Sequence, residues 1–295
     1  MRTRRIELPL PCGNRLLRPA RLPVPPRPHV WANIENTNST REIQESFGSA
    51  SGHLYGILAS VSDIATNLKK VRERVASAAT RAGRDPNEIK VVAVTKTHSA
   101  DVIRKAITDG LTLFGENKVQ EAESKIGEIG RDTAKWHLIG HLQSNKARKA
   151  VQLFDVIQSV DSLELAQRLD RICEEENRSE LSVLVQVDLA GEATKSGIPE
   201  FELGELVEFL RGCERLKFDG LMVLPPFFDD PEATRPYFKR MKEIRDRLVS
   251  IGAFANGNGE LSMGMSHDFE VAIEEGATMV RVGTAIFGER ENYLS

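Results

Sequence analysis

Between residues 61 and 82 apolar side chains recur at alternating steps of three and four. Val61, Ile64, Leu68, Val71 and Val75 fall on one face of a helix. Gly83 offers a left-handed C-cap, and Asp85-Pro86 ends the element. Beyond it the pattern changes to short continuous apolar runs separated by helical stretches. VVAV at 91–94, TLF at 112–114, WHLI at 136–139 and DVIQ at 155–158 read as buried strands. LSVLVQV at 181–187, FDGLMV at 218–223, ELSM at 260–263 and MVRV at 279–282 follow them. Between the strands, Ser99 caps a helix carrying Val102, Ile103, Ala106 and Ile107, stopped at Gly110. Leu163, Ala166, Leu169, Ile172 and Cys173 line a second. Leu203, Leu206, Val207 and Leu210 line a third, entered at Pro199. Eight strands alternating with helices predict an α/β fold, a parallel sheet closed into a single (β/α)8 TIM-type barrel. An open doubly wound sheet is the rival, weakened because no GxGxxG follows the first strand.

Composition changes the picture at the N-terminus. Residues 1–28 hold seven Arg, one acid (Glu7) and seven of the 13 prolines, a local charge of +6 in a chain whose net charge is −3. Proline removes backbone donors, so the segment builds no regular structure of its own. Residues 1–60 read as a disordered Arg/Pro-rich extension and linker, and 61–295 as the barrel. A transit peptide would be Ser-rich, yet no Ser precedes Ser39. A nucleic-acid arm would interleave aromatics. A gene start placed too far upstream also explains the segment, although the next Met is Met222.

The rest of the composition narrows the class. No apolar run approaches the ~18 residues of a membrane span, and the mild negative charge gives no reason to expect nucleic acid as a partner. Cys12, Cys173 and Cys213 are odd in number and far apart. They form no CxxC metal site and no disulfide framework, which points to a reducing cytoplasm.

In such a barrel chemistry collects just past the strand ends. Lys96 follows VVAVT, where desolvation favours the neutral, nucleophilic amine. A lysine whose stem packs while its head reaches solvent explains the same spacing. Ser266 stands before the helical pattern 267–275 as an N-cap, and Gly283-Thr284 end the last strand. Loops after strands seven and eight commonly hold phosphate. A Schiff-base lysine facing a phosphate cup suggests an aldehyde phosphate, and pyridoxal 5'-phosphate fits. GNGE at 257–260 reads as a turn, DDPE at 229–232 as a helix start, and Cys173 as inert core. In 238–248, Met241, Ile244 and Leu248 face inward, and His267 faces solvent.

Six blocks then resemble the pyridoxal phosphate homeostasis protein family: AVTK at 93–96, FGENKVQE at 114–121, WHLIGHLQSNK at 136–146, GEATKSG at 191–197, GLMVLPP at 220–226 and SMGMSHDFEVAIEEGATMVRVGTAIFGER at 262–290. The resemblance covers about 61–290 and leaves the extension outside. It implies a barrel similar to the N-terminal domain of alanine racemase, with the cofactor held as a reversible internal aldimine on Lys96. Ser266, Gly283 and Thr284 would hold the phosphate, Arg281 would meet the pyridine nitrogen, and Asn117 would lie near the cofactor. It also implies a cytoplasmic monomer that handles pyridoxal phosphate and B6 vitamers and delivers cofactor to apo enzymes. Two positions depart from the family's pattern: Lys118 stands where Tyr is common, and Asp188 where Asn is.

Facing Arg281, a group with donors only, the ring nitrogen would stay unprotonated and serve as a weaker electron sink. Racemisation would further need two bases. None of Tyr55, Tyr237 and Tyr293 falls at a strand end, while His98, His137 and His141 fall near such ends. The reading is therefore a carrier without turnover. The alternatives are a small fold-type III amino-acid racemase and a barrel aldolase using Lys96 on a sugar phosphate.

Overall fold

The computed structural model describes residues 63–191 and 196–289. The N-terminal extension, Cys12, Tyr55, Tyr293 and most of the GEATKSG block lie outside these residues. Eight parallel strands make up the barrel: β1 (Lys90–Val94), β2 (Leu113–Glu116), β3 (Lys135–Leu138), β4 (Val156–Val160), β5 (Leu181–Asp188), β6 (Leu216–Met222), β7 (Glu260–Met265) and β8 (Met279–Val282). Each pairs with its sequence neighbour, and β1 pairs with β8 with Val92 opposite Arg281 and Ala93 opposite Val282. That last pairing closes the sheet. Strands covered on both faces have no solvated side to mark with regularly alternating polar residues, which is why all eight read as largely apolar runs.

Helices α1 (Asp63–Arg81), α2 (Ala100–Thr108), α3 (Val119–Ile129), α4 (Ala147–Leu153), α5 (Leu163–Glu175), α6 (Leu203–Gly212), α7 (Arg235–Ser250), α8 (Phe269–Glu274) and α9 (Thr284–Phe287) accompany the strands. Of the stripe expected on α1, Ile64, Leu68, Val71 and Val75 are in the core, and Val61 lies outside the described residues. Gly83 takes φ +66° as its cap. Pro199 does not enter α6. It ends a two-residue strand, Ile198–Pro199, that pairs with the end of β5, and a 3-10 turn intervenes before the helix.

Helix α1 clasps the last two helices across the closure. Arg74 makes a bidentate pair with Glu270 at 2.7 and 2.8 Å and lies over the Phe269 ring. Asn67 donates to Ile286 O, which ties α1 to α9. Arg84 donates to Ile273 O and Ala277 O at the loop before β8. These contacts set where the ends of β7 and β8 lie. Among the described residues no helix is long and apolar enough to cross a membrane, and no cluster of His, Cys, Asp or Glu could hold a metal ion.

Candidate functional site

The barrel interior is not wholly apolar. Arg281, on β8, is 3% exposed and points inward. Its Nη1 donates to Ser262 Oγ at 2.7 Å and its Nη2 to Val223 O at 2.8 Å. Ser262 passes the chain on, donating to Gln158 Oε1 at 2.6 Å. The Gln158 amide in turn lies 2.8 Å from His137 Nδ1, which must accept, leaving the ring proton on Nε2. Four strands thus contribute to one buried polar thread, and each member is satisfied by the next. Burial pushes Arg281 down to about 10, with the Asp268 charge opposing, so it stays protonated at neutral pH. Burial likewise pushes His137 down to about 4. It is a neutral interior side chain and stands at no strand end as a base would.

At the C-terminal rim β7 ends in a bend. Its pairing with β8 shifts register between Ser262 and Met265, and Gly264 adopts φ +89°. A Cβ on Gly264 would lie 2.5 Å from Ala272 Cβ and 2.9 Å from Phe269 Cα, so only glycine fits. The bend carries Ser266 toward β8. There its Oγ accepts from the N–H of Gly283 at 3.1 Å and of Ala285 at 3.3 Å. The expected cap role is therefore redirected. Asp268 occupies the N-cap position of α8 and accepts from Met265 N–H, while Ser266 serves the amides at the start of α9. Two backbone N–H groups and the hydroxyl that accepts from them are thereby grouped at the ends of β7 and β8, group types that suit a phosphate.

Lys96 stands two residues past β1, half-buried, on the strand that neighbours β8. Gly283 lies against the end of β1, where a Cβ would come to 3.4 Å from Val94 O. Thr284 opens α9 and is exposed. Asn117 follows β2 and is half-buried. The end of β3 packs so closely on it that a Cβ at Gly140 would fall 2.2 Å from Asn117 O. Lys96, Asn117, Ser266, Gly283 and Thr284 therefore gather at one end of the barrel, with Arg281 beneath them.

The other candidates hold structural places. The His98 ring packs on Phe287, and Lys118 is exposed before α3. Asp188 turns its own loop by accepting from the N–H of Ala190 and Gly191. His141 sits on the rim with Nδ1 3.1 Å from Asp161 Oδ2. His267 is exposed as expected and reaches Asp229 O. The DDPE segment starts a 3-10 turn, Pro231–Thr234, capped by Asp230, ahead of α7. The Cys173 thiol is buried and pushed up to about 11 by desolvation, consistent with inert core. Sequence reasoning gave no role to Ser262, Gln158 or Gly264; a Gln inside the buried run VIQSV was the available signal for Gln158.

The chain matches the family model described as alanine racemase, N-terminal domain, over residues 66–291. It is 42% identical over 224 residues to the pyridoxal phosphate homeostasis protein of Aquifex aeolicus, covering 76% of this chain and 97% of that one. The chain belongs to the pyridoxal phosphate homeostasis protein family. The Escherichia coli (strain K12) protein of the same name is 41% identical over 240 residues, covering 78% of this chain and 98% of its own. Among solved structures, PipY of Synechococcus elongatus PCC7942 with PLP bound aligns with TM-score 0.64 at 40% identity, covering 74% of this chain and all of PipY. An alanine racemase from Clostridium difficile aligns with TM-score 0.63 at 17% identity over 79% of this chain and 58% of its own, a likeness of fold alone.

Proposed function

We propose that this protein binds pyridoxal 5'-phosphate at the C-terminal end of its barrel and acts as a carrier in the homeostasis of that cofactor. One observation carries the reading: Ser266 Oγ accepts from the Gly283 and Ala285 amides, which groups a hydroxyl and two backbone N–H groups beside the end of the strand that leads to Lys96. The residues fit the group. Ser266, Gly283 and Thr284 would hold the phosphate, Arg281 would donate toward the ring nitrogen, and Asn117 would border the ring. When bound, the cofactor supplies an aldehyde that condenses reversibly with a primary amine. Lys96 provides that amine.

Arg281 argues for holding over turnover. Its guanidinium carries donors only, so a ring nitrogen facing it accepts and stays unprotonated. Ser262 Oγ and Val223 O each accept from one of its Nη groups and so hold its orientation. The barrel at 61–295 is the binding unit in this reading, B6 vitamers and apo pyridoxal enzymes are its partners, and the protein works as a cytoplasmic monomer.

The deciding experiment is an absorbance spectrum of purified protein with and without added cofactor, before and after borohydride, repeated on Lys96→Ala. A visible band that borohydride removes, with cofactor mass fixed on the Lys96 peptide, upholds the reading. A wild-type protein that stays colourless overturns it in favour of a sugar-phosphate aldolase.

A further inference from the structure

The loop that carries Lys96 is held from below by a buried charged cluster. Lys125, on α3, has a side chain only 8% exposed and spends its three donors on Thr95 O at 2.7 Å, Glu116 Oε1 at 2.8 Å and Glu121 Oε1 at 2.6 Å. Glu116, fully buried at the end of β2, also accepts from Thr95 Oγ at 2.6 Å. Glu121 accepts from the Thr97 N–H. Both neighbours of Lys96 are therefore tied to the cluster, Thr95 through two bonds and Thr97 through one.

Thr97 itself has φ +69°, a left-handed conformation that a β-branched residue rarely adopts. A strained backbone persists only where its surroundings over-determine it, and such strain gathers at functional sites. An ammonium and two carboxylates are an expensive way to fill the space between a helix and a strand end, since apolar side chains would do so at least as stably. What apolar residues cannot do is capture a carbonyl, a hydroxyl and an amide on either side of one lysine. Burial keeps the Glu116 carboxyl above its ordinary range against the pull of Lys125, and its Oε2 has no hydrogen-bond partner among the described residues.

We infer that Glu116, Lys125 and Glu121 are positioning residues that hold the strained Thr95–Thr97 turn so that Lys96 is presented in a single backbone conformation. This role rests on the reading of Lys96 as the attachment point. Glu121, on the partly exposed side of the cluster, is the position to test, because its loss leaves the buried Glu116–Lys125 pair in place.

Two readouts follow on Glu121→Ala, with Glu121→Gln as the conservative variant that keeps an acceptor for Thr97. In cofactor-free protein, amide exchange at Thr97 should rise about tenfold in Glu121→Ala and stay near wild type in Glu121→Gln. The rate at which added pyridoxal phosphate attaches to Lys96 should fall about tenfold in Glu121→Ala and recover in Glu121→Gln, with the melting temperature of both near wild type. Unchanged Thr97 exchange together with an unchanged attachment rate in Glu121→Ala overturns the inference. The exchange measurement needs no cofactor. Faster Thr97 exchange in a protein whose wild type never captures cofactor on Lys96 would therefore uphold the pinned turn and overturn the reading on which its purpose rests.

Discussion

Ser266 Oγ accepts the Gly283 N–H at 3.1 Å, joining the ends of β7 and β8 at a single oxygen. Neither residue is unusual alone. Their meeting depends on the bend at Gly264 and on the closure of β8 against β1.

Ser266→Ala removes the hydroxyl and leaves both amides in place. Capture of pyridoxal phosphate should weaken about tenfold to a hundredfold, the scale of a hydrogen bond to a charged group. Absorbance titration against wild type reads this, and an unchanged affinity would remove Ser266 from the phosphate site.

Gly264→Ala places a methyl 2.5 Å from Ala272 Cβ at φ +89°. Strain and overlap together should destabilise the fold by about 1–3 kcal/mol. Denaturant unfolding gives the size, and the loss of cofactor capture should exceed what that destabilisation alone explains.

Ser262→Ala breaks the buried thread, leaving an Arg281 N–H and Gln158 Oε1 without their shared partner. The expected loss is about 1–3 kcal/mol of stability. Because Arg281 loses one of its two anchors, the spectrum of the cofactor-bound protein should also shift. A variant with wild-type stability and spectrum would show that the thread orients nothing.

His137 predicts an acid-side dependence. Burial, with the Asp155 charge opposing, holds it near 4 in the folded protein against an ordinary 6.5. Above pH 6.5 it is neutral in both states, and its contribution to stability is complete. As pH falls from 6.5 toward 4 the unfolded chain takes up a proton that the native interior refuses, so stability drops by about 3 kcal/mol in all. His137→Gln should flatten the melting temperature over that range relative to wild type. Parallel curves would count against the assignment.

The carrier reading expects solvent deuterium to enter the Cα of D- or L-amino acids no faster than with free pyridoxal phosphate. His141, oriented by Asp161 on the rim, is the group to vary if exchange is found. Exchange above background that His141→Ala abolishes would move the racemase alternative ahead of the carrier.

Much of the fold was legible along the chain. Each of the eight runs is a barrel strand to within a few residues, because a strand covered on both faces is largely apolar. Lys96 and Gly283-Thr284 were legible for a related reason, since polar residues and glycines directly after such runs must lie at the rim. Pro199 misled because proline suits both a helix's first turn and the edge of a short strand, and only pairing with β5 separates the two.

The amino-acid sequence by itself thus determined the alternation of strands and helices, the end of the barrel where chemistry could occur, and the family to which the chain belongs. Tertiary structure decided which side chains share a hydrogen bond. Closure of β8 on β1 brings residue 96 to the same rim as residues 266 and 283. The bend at Gly264 turns Ser266 from its own helix toward α9, and the interior links Arg281 to His137 through Ser262 and Gln158. Periodicity reports whether a side chain is buried, a property of one position at a time. A hydrogen bond depends on two positions meeting within about 3 Å, and in a closed barrel that meeting is set by register and closure.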